Sequence, residues 1–346
     1  MTAPVEAPAR RTTPTPPFHH LIRLTDDTGL FEHAQYAIAR REHGYCTDDV
    51  ARGLLVVSRE PDPAPALLRL AETYLTFLVH AQAADGSFHN RLSFERRWTD
   101  RPELGDWWGR ALWGLGTAAA RHPAGWIRDS ALRAFTAGAA RRSPAPHAMA
   151  FAGLGAAEIL RADPGNELAA TLLADAASAI GWPDPDPAWS WPYPHLSYAS
   201  AALAEVVIAA GHRRGDVALR AAGLRMLTWL RDAHLADGHL RPLPVAGWTR
   251  RTVRQRYDQQ PIEIAALADA CATAAEVTGD EQWLVTVGQC VQWFLGDNDA
   301  GVTMWDRATG GGFDGLTAQG VNVNQGAEST LALIATLQHK RTPRSR

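Results

Sequence analysis

The sequence predicts an all-α fold: an (α/α) toroid of about six helical hairpins, with long loops over one face. Three observations carry that expectation. Two kinds of helical pattern alternate along the chain, one amphipathic and one apolar nearly all round, the mark of an outer and a buried helix. The apolar kind recurs six times, with starts 58, 41, 49, 65 and 65 residues apart, as stacked supersecondary repeats do. The linkers also alternate. Short ones lead from an apolar to an amphipathic helix, and long ones rich in Gly, Pro and Trp lead back.

Taken in order, residues 1–17 ("MTAPVEAPARRTTPTPP") are Pro-rich and lack the apolar stretch of a signal peptide, so they read as a disordered lead-in to a toroid domain over 18–340. Asp26 and Asp27 in "LTDDTGLFEHA" read as turn residues. The first buried pattern, "DDVARGLLVV", starts at Asp48. Leu67, Leu70, Ala71, Tyr74, Leu75 and Leu78 then trace an i, i+3, i+4, i+7 stripe, the first outer helix. Buried patterns follow from Asp106 ("DWWGRALWGLG"), His147 ("HAMAFAGLGAAEIL"), Leu196 ("LSYASAALAEVVIAA"), Pro261 ("PIEIAALADACATAA") and Gly326 ("GAESTLALIATL"). Their Ala and Gly content allows close approach. A second clear outer stripe is Trp283, Val287, Cys290, Val291 and Phe294. Eleven helices are visible this way; the twelfth is either the 31–40 segment or absent. Asp-Gly in "AADGSFHNR" and "LADGHLRP" predicts tight turns in two of the long linkers.

Composition narrows the function. With 46% hydrophobic and 21% charged residues the chain is globular, and a formal charge of −3 gives no footprint for nucleic acid or an anionic membrane. No segment has the length of apolar sequence that a membrane span needs. Three scattered cysteines, Cys46, Cys271 and Cys290, form neither a disulfide framework nor a metal knuckle and fit a reducing compartment. The expectation is a cytoplasmic protein without cofactor. His147 and His195 have no second ligand at metal spacing, so no metal is expected, and Cys46 has no base beside it.

If the hairpins are parallel, all six inner N-termini open on one face, and residues scattered in sequence converge there. These are Asp48 and Asp49; Asp106, Trp107, Trp108 and Arg110; His147; His195 and Tyr198; Tyr257, Asp258, Gln259, Gln260 and Glu263; Asn324, Gln325 and Glu328. Seven of the thirteen tryptophans (Trp98, Trp107, Trp108, Trp189, Trp191, Trp248, Trp305) fall in loops or at helix starts. Carboxylates, amides and indoles around one pit fit a carbohydrate, which offers C–H faces to rings and hydroxyls to planar polar groups. Asp49, Asp106, Glu263 and Glu328 are the candidate catalytic acids, since glycosidic chemistry needs an acid/base pair. Of Asp48 and Asp49, one is expected to cap its helix and the other to face the pit. Glu263 and Glu328 sit in first turns without a complete capping box, because Gln260 and Gln325 are poor N-caps. Trp107, Trp108, Trp189, Trp191 and Trp248 are expected to stack on sugar rings. Asp314 in "GGGFDGL" reads as a turn residue.

The segments "GYCTDDVARGLL", "WWGRALWGLG", "YDQQPIEIAALADAC" and "FDGL…NVNQGAESTLALIATL" resemble a family of bacterial six-hairpin (α/α-toroid) glycosidase-like proteins, often encoded beside or fused to glycosyltransferases. The resemblance runs from about Leu24 to Leu337. It implies a toroid of the six-hairpin glycosidase kind and a carbohydrate-related role. The chain departs from the family's pattern in "WSWPYPHLSYASAAL". Tyr193 stands where the family has Glu, Ala199 and Ser200 where it has Asp and Asn, and Val50 where it commonly has Asn.

The leading expectation is therefore a glycoside hydrolase or related glycan-processing enzyme acting on an oligo- or polysaccharide. A rival is a non-catalytic glycan-binding partner of a glycosyltransferase, consistent with the acids missing near Tyr193. An isoprenoid cyclase is disfavoured by the lack of an Asp-x-Asp-Asp motif and by the polar site. Epimerisation of a free sugar with His147 or His195 as base is compatible with the fold but not selected by the sequence.

Overall fold

The computed structural model of the chain describes residues 14–339. The expected disordered lead-in lies, for residues 1–13, outside the described residues; Pro16 and Pro17, at its end, are buried and lead into the first helix.

Twelve α-helices occur among the described residues: α1 (Phe18–Arg23), α2 (Thr47–Ser58), α3 (Pro65–Ala81), α4 (Asp106–Arg121), α5 (Gly125–Ala139), α6 (Pro146–Ala162), α7 (Glu167–Ile180), α8 (Ala201–Arg213), α9 (Val217–His234), α10 (Pro261–Thr278), α11 (Gln282–Phe294) and α12 (Ala327–Gln338). The even-numbered helices are the apolar ones, and they pack in a closed circuit, α2–α4–α6–α8–α10–α12 and back to α2. The odd-numbered helices lie outside it; α3, α5, α7, α9 and α11 each pack on the inner helix before them, and α1 on α12. This is the (α/α) toroid that the alternating patterns predict.

Two expectations on boundaries are corrected. The twelfth helix is α1, and residues 31–40 instead contain an antiparallel pair, Ala34–Gln35 with Ile38–Ala39. Six residues are too few to show a helical period, which is why α1 escapes pattern reading. The fourth inner helix begins at Ala201 and not at Leu196. His195 and Leu196 are drawn into a ladder with Trp248 and Thr249, and Ala199 takes a left-handed conformation (φ 46°) that a helix cannot continue through. The Asp-Gly turn behaves as expected: Asp237 and Gly238 both have positive φ and join Leu235–Ala236 to His239–Leu240.

Small residues set how tightly the inner ring closes. A Cβ on Gly116 of α4 would stand 2.3 Å from the carbonyl oxygen of Gly155 on α6, and one on Gly155 would stand 2.3 Å from that of Leu112. At the C-terminal end of the ring the inner helices are tied by ion pairs, Arg59 with Asp269 at 2.8 Å and Arg121 with Glu158 at 2.6 Å, and by a hydrogen bond between His339 and Asp269 at 2.5 Å. At the other end, none of the six inner helices has a side-chain N-cap. Their positive dipole ends therefore face whatever lies at that mouth, although the Thr47 and Ala327 N–H groups bond the Asn90 and Glu32 carbonyls at 2.9 and 3.0 Å. No helix among the described residues is long and apolar enough to cross a membrane.

Because backbone stands on both sides of the contact, Gly155→Ala is expected to cost about 3 kcal/mol, the upper range for overpacking. A urea midpoint lowered at unchanged slope checks this; a midpoint like that of wild type would mean α4 and α6 do not meet there.

Candidate active site

The N-terminal mouth of the ring holds a polar pit of about 530 Å³. Its wall takes Asp48, Asp49 and Arg52 from α2, Arg110 from α4, Tyr198 from the turn before α8, Gln260 and Ile262 at the start of α10, and Glu328 and Ser329 from α12. Loops add Glu32, His33, Asn90, Arg91, Asp314 and Asn322. Below it, on the ring axis, a small apolar void of about 40 Å³ shares Arg52, Arg110 and Ile262 with the pit.

Arg52 organises the pit. One of its terminal nitrogens, Nη2, lies 2.7 Å from Asp48 and 2.6 Å from Asp49, while Nη1 lies 3.1 Å from Glu328. The capping expectation for the aspartates is thus corrected: neither caps α2, and both turn to the arginine one helical turn on, an i+3 and an i+4 pair. Their environments differ. Asp49 is buried, and burial pushes its carboxyl well above the usual range; Arg52 pulls the other way and Asp48 adds repulsion. Glu328 keeps 41% of its side chain exposed. Asp314, read as a turn residue, serves α12: its Oδ1 accepts the Gly326 N–H at 2.8 Å and the Ser329 hydroxyl at 2.6 Å.

Beside the pit stands a second group. The Tyr198 hydroxyl donates to Asp106, whose carboxyl is raised by burial and by Asp48. The His147 ring stacks on Tyr198 with centroids 4.9 Å apart, and its Nε2 lies 2.8 Å from the Tyr198 carbonyl. A carbonyl only accepts, so Nε2 carries the hydrogen. Burial, with help from Arg110, lowers His147 to about 4, leaving it neutral at neutral pH. Glu263 is buried, accepts the Ala199 N–H at 2.6 Å, and is raised to about 8, mainly by burial. Asp106, His147 and Glu263 surround the Tyr198–Ala199 turn, and none of the three is on the pit wall.

Several residues expected to bind sugar are placed elsewhere. Trp108 is fully buried, with its indole N–H 3.3 Å from the Gly138 carbonyl, and Trp107 is half-buried and donates to Phe88. Trp189 and Trp191 are buried in a cluster with Trp229, and Trp189 meets Trp248 at 4.9 Å. None of these rings is on the pit wall; Trp189, Trp191 and Trp248 pack on Trp229 and seat their loops on α9. Gln259 is fully buried, bonded to Asp299 at 2.6 Å and Trp293 at 3.3 Å. Gln325 is held by Thr309 and Asp306, Asn324 accepts the Tyr36 N–H, and Tyr257 and Asp258 lie off the pit wall. Of the four amides expected from the sequence, Gln260 alone lines the pit. Tyr193 bonds the end of α7 through the Ala179 and Ile180 carbonyls.

Arg52, Arg91 and Glu32 were not foreseen. Arg52 had a signal: it is the one cation in the first buried pattern, set three and four residues after the acid pair. Arg91 and Glu32 pair across loops and had none. Ligand atoms of Glu32, Cys46 and Asp49 lie within 4.8 Å of one another. Each is already engaged, by Arg91, Asn90 and Arg52 in turn, and burial pushes the Cys46 thiol up, away from the thiolate that binds metals.

No protein-family model matches the sequence, and a search of curated proteins finds no relative. Solved structures do match along nearly the whole chain. The fold is the six-hairpin (α/α) toroid of glycosidase-like enzymes. A sugar epimerase from a ruminal bacterium superposes with TM-score 0.69 at 14% identity over 93% of this chain and 94% of that one. Cellobiose 2-epimerase from Bacillus thermoamylovorans gives 0.68 at 12%, over 92% and 95%. A C. cellulolyticum cellulase in complex with cellobiose gives 0.61 at 10%, over 90% and 87%.

Glu263 yields a pH prediction. Its folded pKa of about 8 stands above the ordinary 4.5, so the stability it contributes is full below the ordinary value and lost as pH rises through the folded one. Glu263→Gln cannot ionise. Relative to wild type it is expected to gain on the order of a few kcal/mol between pH 5 and pH 9, read as a melting-temperature difference that grows with pH. The same difference at both pH values would show that Glu263 is ionised in the folded protein.

Proposed function

We propose that the protein is a carbohydrate-active enzyme that cleaves or rearranges a glycosidic bond in the pit. The observation that carries this is the convergence of Asp48, Asp49 and Glu328 on Arg52 with unequal burial. Glycosidic chemistry needs one carboxyl that holds a proton and another that is ionised, and separate environments on one wall supply that difference. Asp49, the most buried, is the general acid that protonates the leaving oxygen. Glu328, accessible and paired with Arg52, is the carboxylate that activates water or attacks the anomeric carbon. Asp48 fixes Arg52, while Asp106 and Glu263 hold Tyr198 and its turn and so act as positioning residues. Tyr198, Gln260, Asn90 and Asn322 offer hydroxyl and amide groups to the sugar.

A substrate found by glycan-array binding and product analysis tests the assignment. Asp49→Asn and Glu328→Gln are each expected to lower kcat by about 100-fold or more, the range for general acid–base groups, with binding retained. Unchanged turnover in both variants would overturn it.

A second reading, epimerisation or isomerisation of a sugar, is favoured by the sugar epimerases among the similar folds and by the neutral His147. Product mass separates the two: an epimer keeps the mass of its substrate, and hydrolysis adds water and splits it. A purely binding role is the least economical, because binding alone does not call for a buried acid whose proton is held against an arginine.

A further inference from the structure

Arg110 is 4% exposed and stands where the pit meets the axial void. One face of its guanidinium is covered by aromatic rings, 3.7 Å from the Phe151 centroid and 5.9 Å from that of Trp113. Its edge is open. Nε and Nη2 are both buried and have no hydrogen-bond partner. The Asp48 Oδ2 atom stands 3.7 Å from Nε, beyond hydrogen-bond length, and the other oxygen of Asp48 is engaged by Arg52. The other poorly exposed arginines nearby contrast with this: Arg52 has three carboxylates and Arg59 has Asp269. A buried cation whose donors meet nothing is costly, and Nε with Nη2 is the guanidinium edge that grips a carboxylate through two parallel hydrogen bonds.

We propose that this open edge of Arg110 receives the carboxylate of a sugar acid, so that the pit is built for uronate-containing glycans, an inference that rests on the carbohydrate reading above. A neutral sugar would offer Nε and Nη2 no charged acceptor, with Asp48 standing beyond hydrogen-bond length. A phosphate is disfavoured, because its second negative charge would face Asp48, Glu328, Glu32 and Asp314 on the same wall.

Calorimetric titration of wild-type protein at pH 7 with D-glucuronate, D-galacturonate and D-mannuronate, each against its neutral parent, tests this, with acetate and inorganic phosphate as further probes. At least one uronate is expected to bind about ten- to hundred-fold more tightly than its parent, the range for charge-assisted hydrogen bonds. Arg110→Lys, which keeps the charge and loses the planar edge, is expected to remove that preference while the near-UV circular dichroism stays native. Uronates no tighter than their parents would overturn the inference; binding of the parents would still uphold the carbohydrate reading. Acetate as tight as the uronates would keep the carboxylate edge and sink the sugar. Phosphate tighter than every uronate would overturn the carboxylate assignment. Should Arg110→Lys fail to fold, the wild-type series decides alone.

Discussion

The structure depends on closing a ring whose first and last inner helices are 276 residues apart at the point where Arg52 meets Glu328. That contact joins α2 to α12 at the N-terminal mouth. At the opposite mouth Gln338 bonds the Val56 carbonyl at 2.8 Å and Glu60 at 2.7 Å, joining the same two helices again. Between these ties the apolar faces of α2 and α12 meet. The chain must therefore form nearly every hairpin before its ends can pair, a costly long-range closure. One consequence is functional: Glu328 reaches the aspartates of α2 only in the closed ring. The site and the closure share the same guanidinium.

The uncapped inner helices explain why the mouth is polar. Six helix starts without side-chain caps bring positive dipole ends to one face, and the acids gathered there suit that field. Arginines then divide the acids into different states. Asp49 is deep enough for burial to prevail over its bond to Arg52, whereas Glu328 keeps much of its side chain in solvent. Glu263, without an arginine bonded to it and enclosed by α10 and the turn before α8, holds its proton mainly by burial. The same chemical group takes different roles because its distance from water and from an arginine differs.

The loops over this face are held as firmly as the helices. The indoles of Trp189, Trp191, Trp229 and Trp248 pack against one another, ring planes of Trp229 and Trp248 lying within 5° of parallel. Gln259 binds its neighbours with its side chain and pairs its backbone with Leu316 at 2.9 and 2.8 Å. His20 of α1 reaches the Gln325 carbonyl at 2.8 Å. Aromatic and amide side chains that look like ligand contacts thus brace the rim, and the pit wall is left to Tyr198, Gln260, the arginines and the acids. Pre-organised walls of this kind lower the ordering cost of binding.

The sequence by itself determined the architecture. Hydrophobic periodicity separates inner from outer helices because a helix buried on all sides has no reason to keep a polar face, and the Gly and Ala content of the inner set already implied the close approach seen at Gly116 and Gly155. The face that carries the site also followed from it, since parallel hairpins place all inner starts together. Tertiary structure alone decided which residues at those starts look inward. Asp48 and Asp49 are indistinguishable in sequence, yet on the pit wall Asp49 is buried and Asp48 partly exposed, because neighbouring positions on a helix point about 100° apart. Trp189 and Trp248 carry the same loop signature as a sugar platform, and only their packing on α9 shows them to be struts. Arg91 and Glu32 meet across loops distant in sequence, and no local pattern records a contact between distant loops.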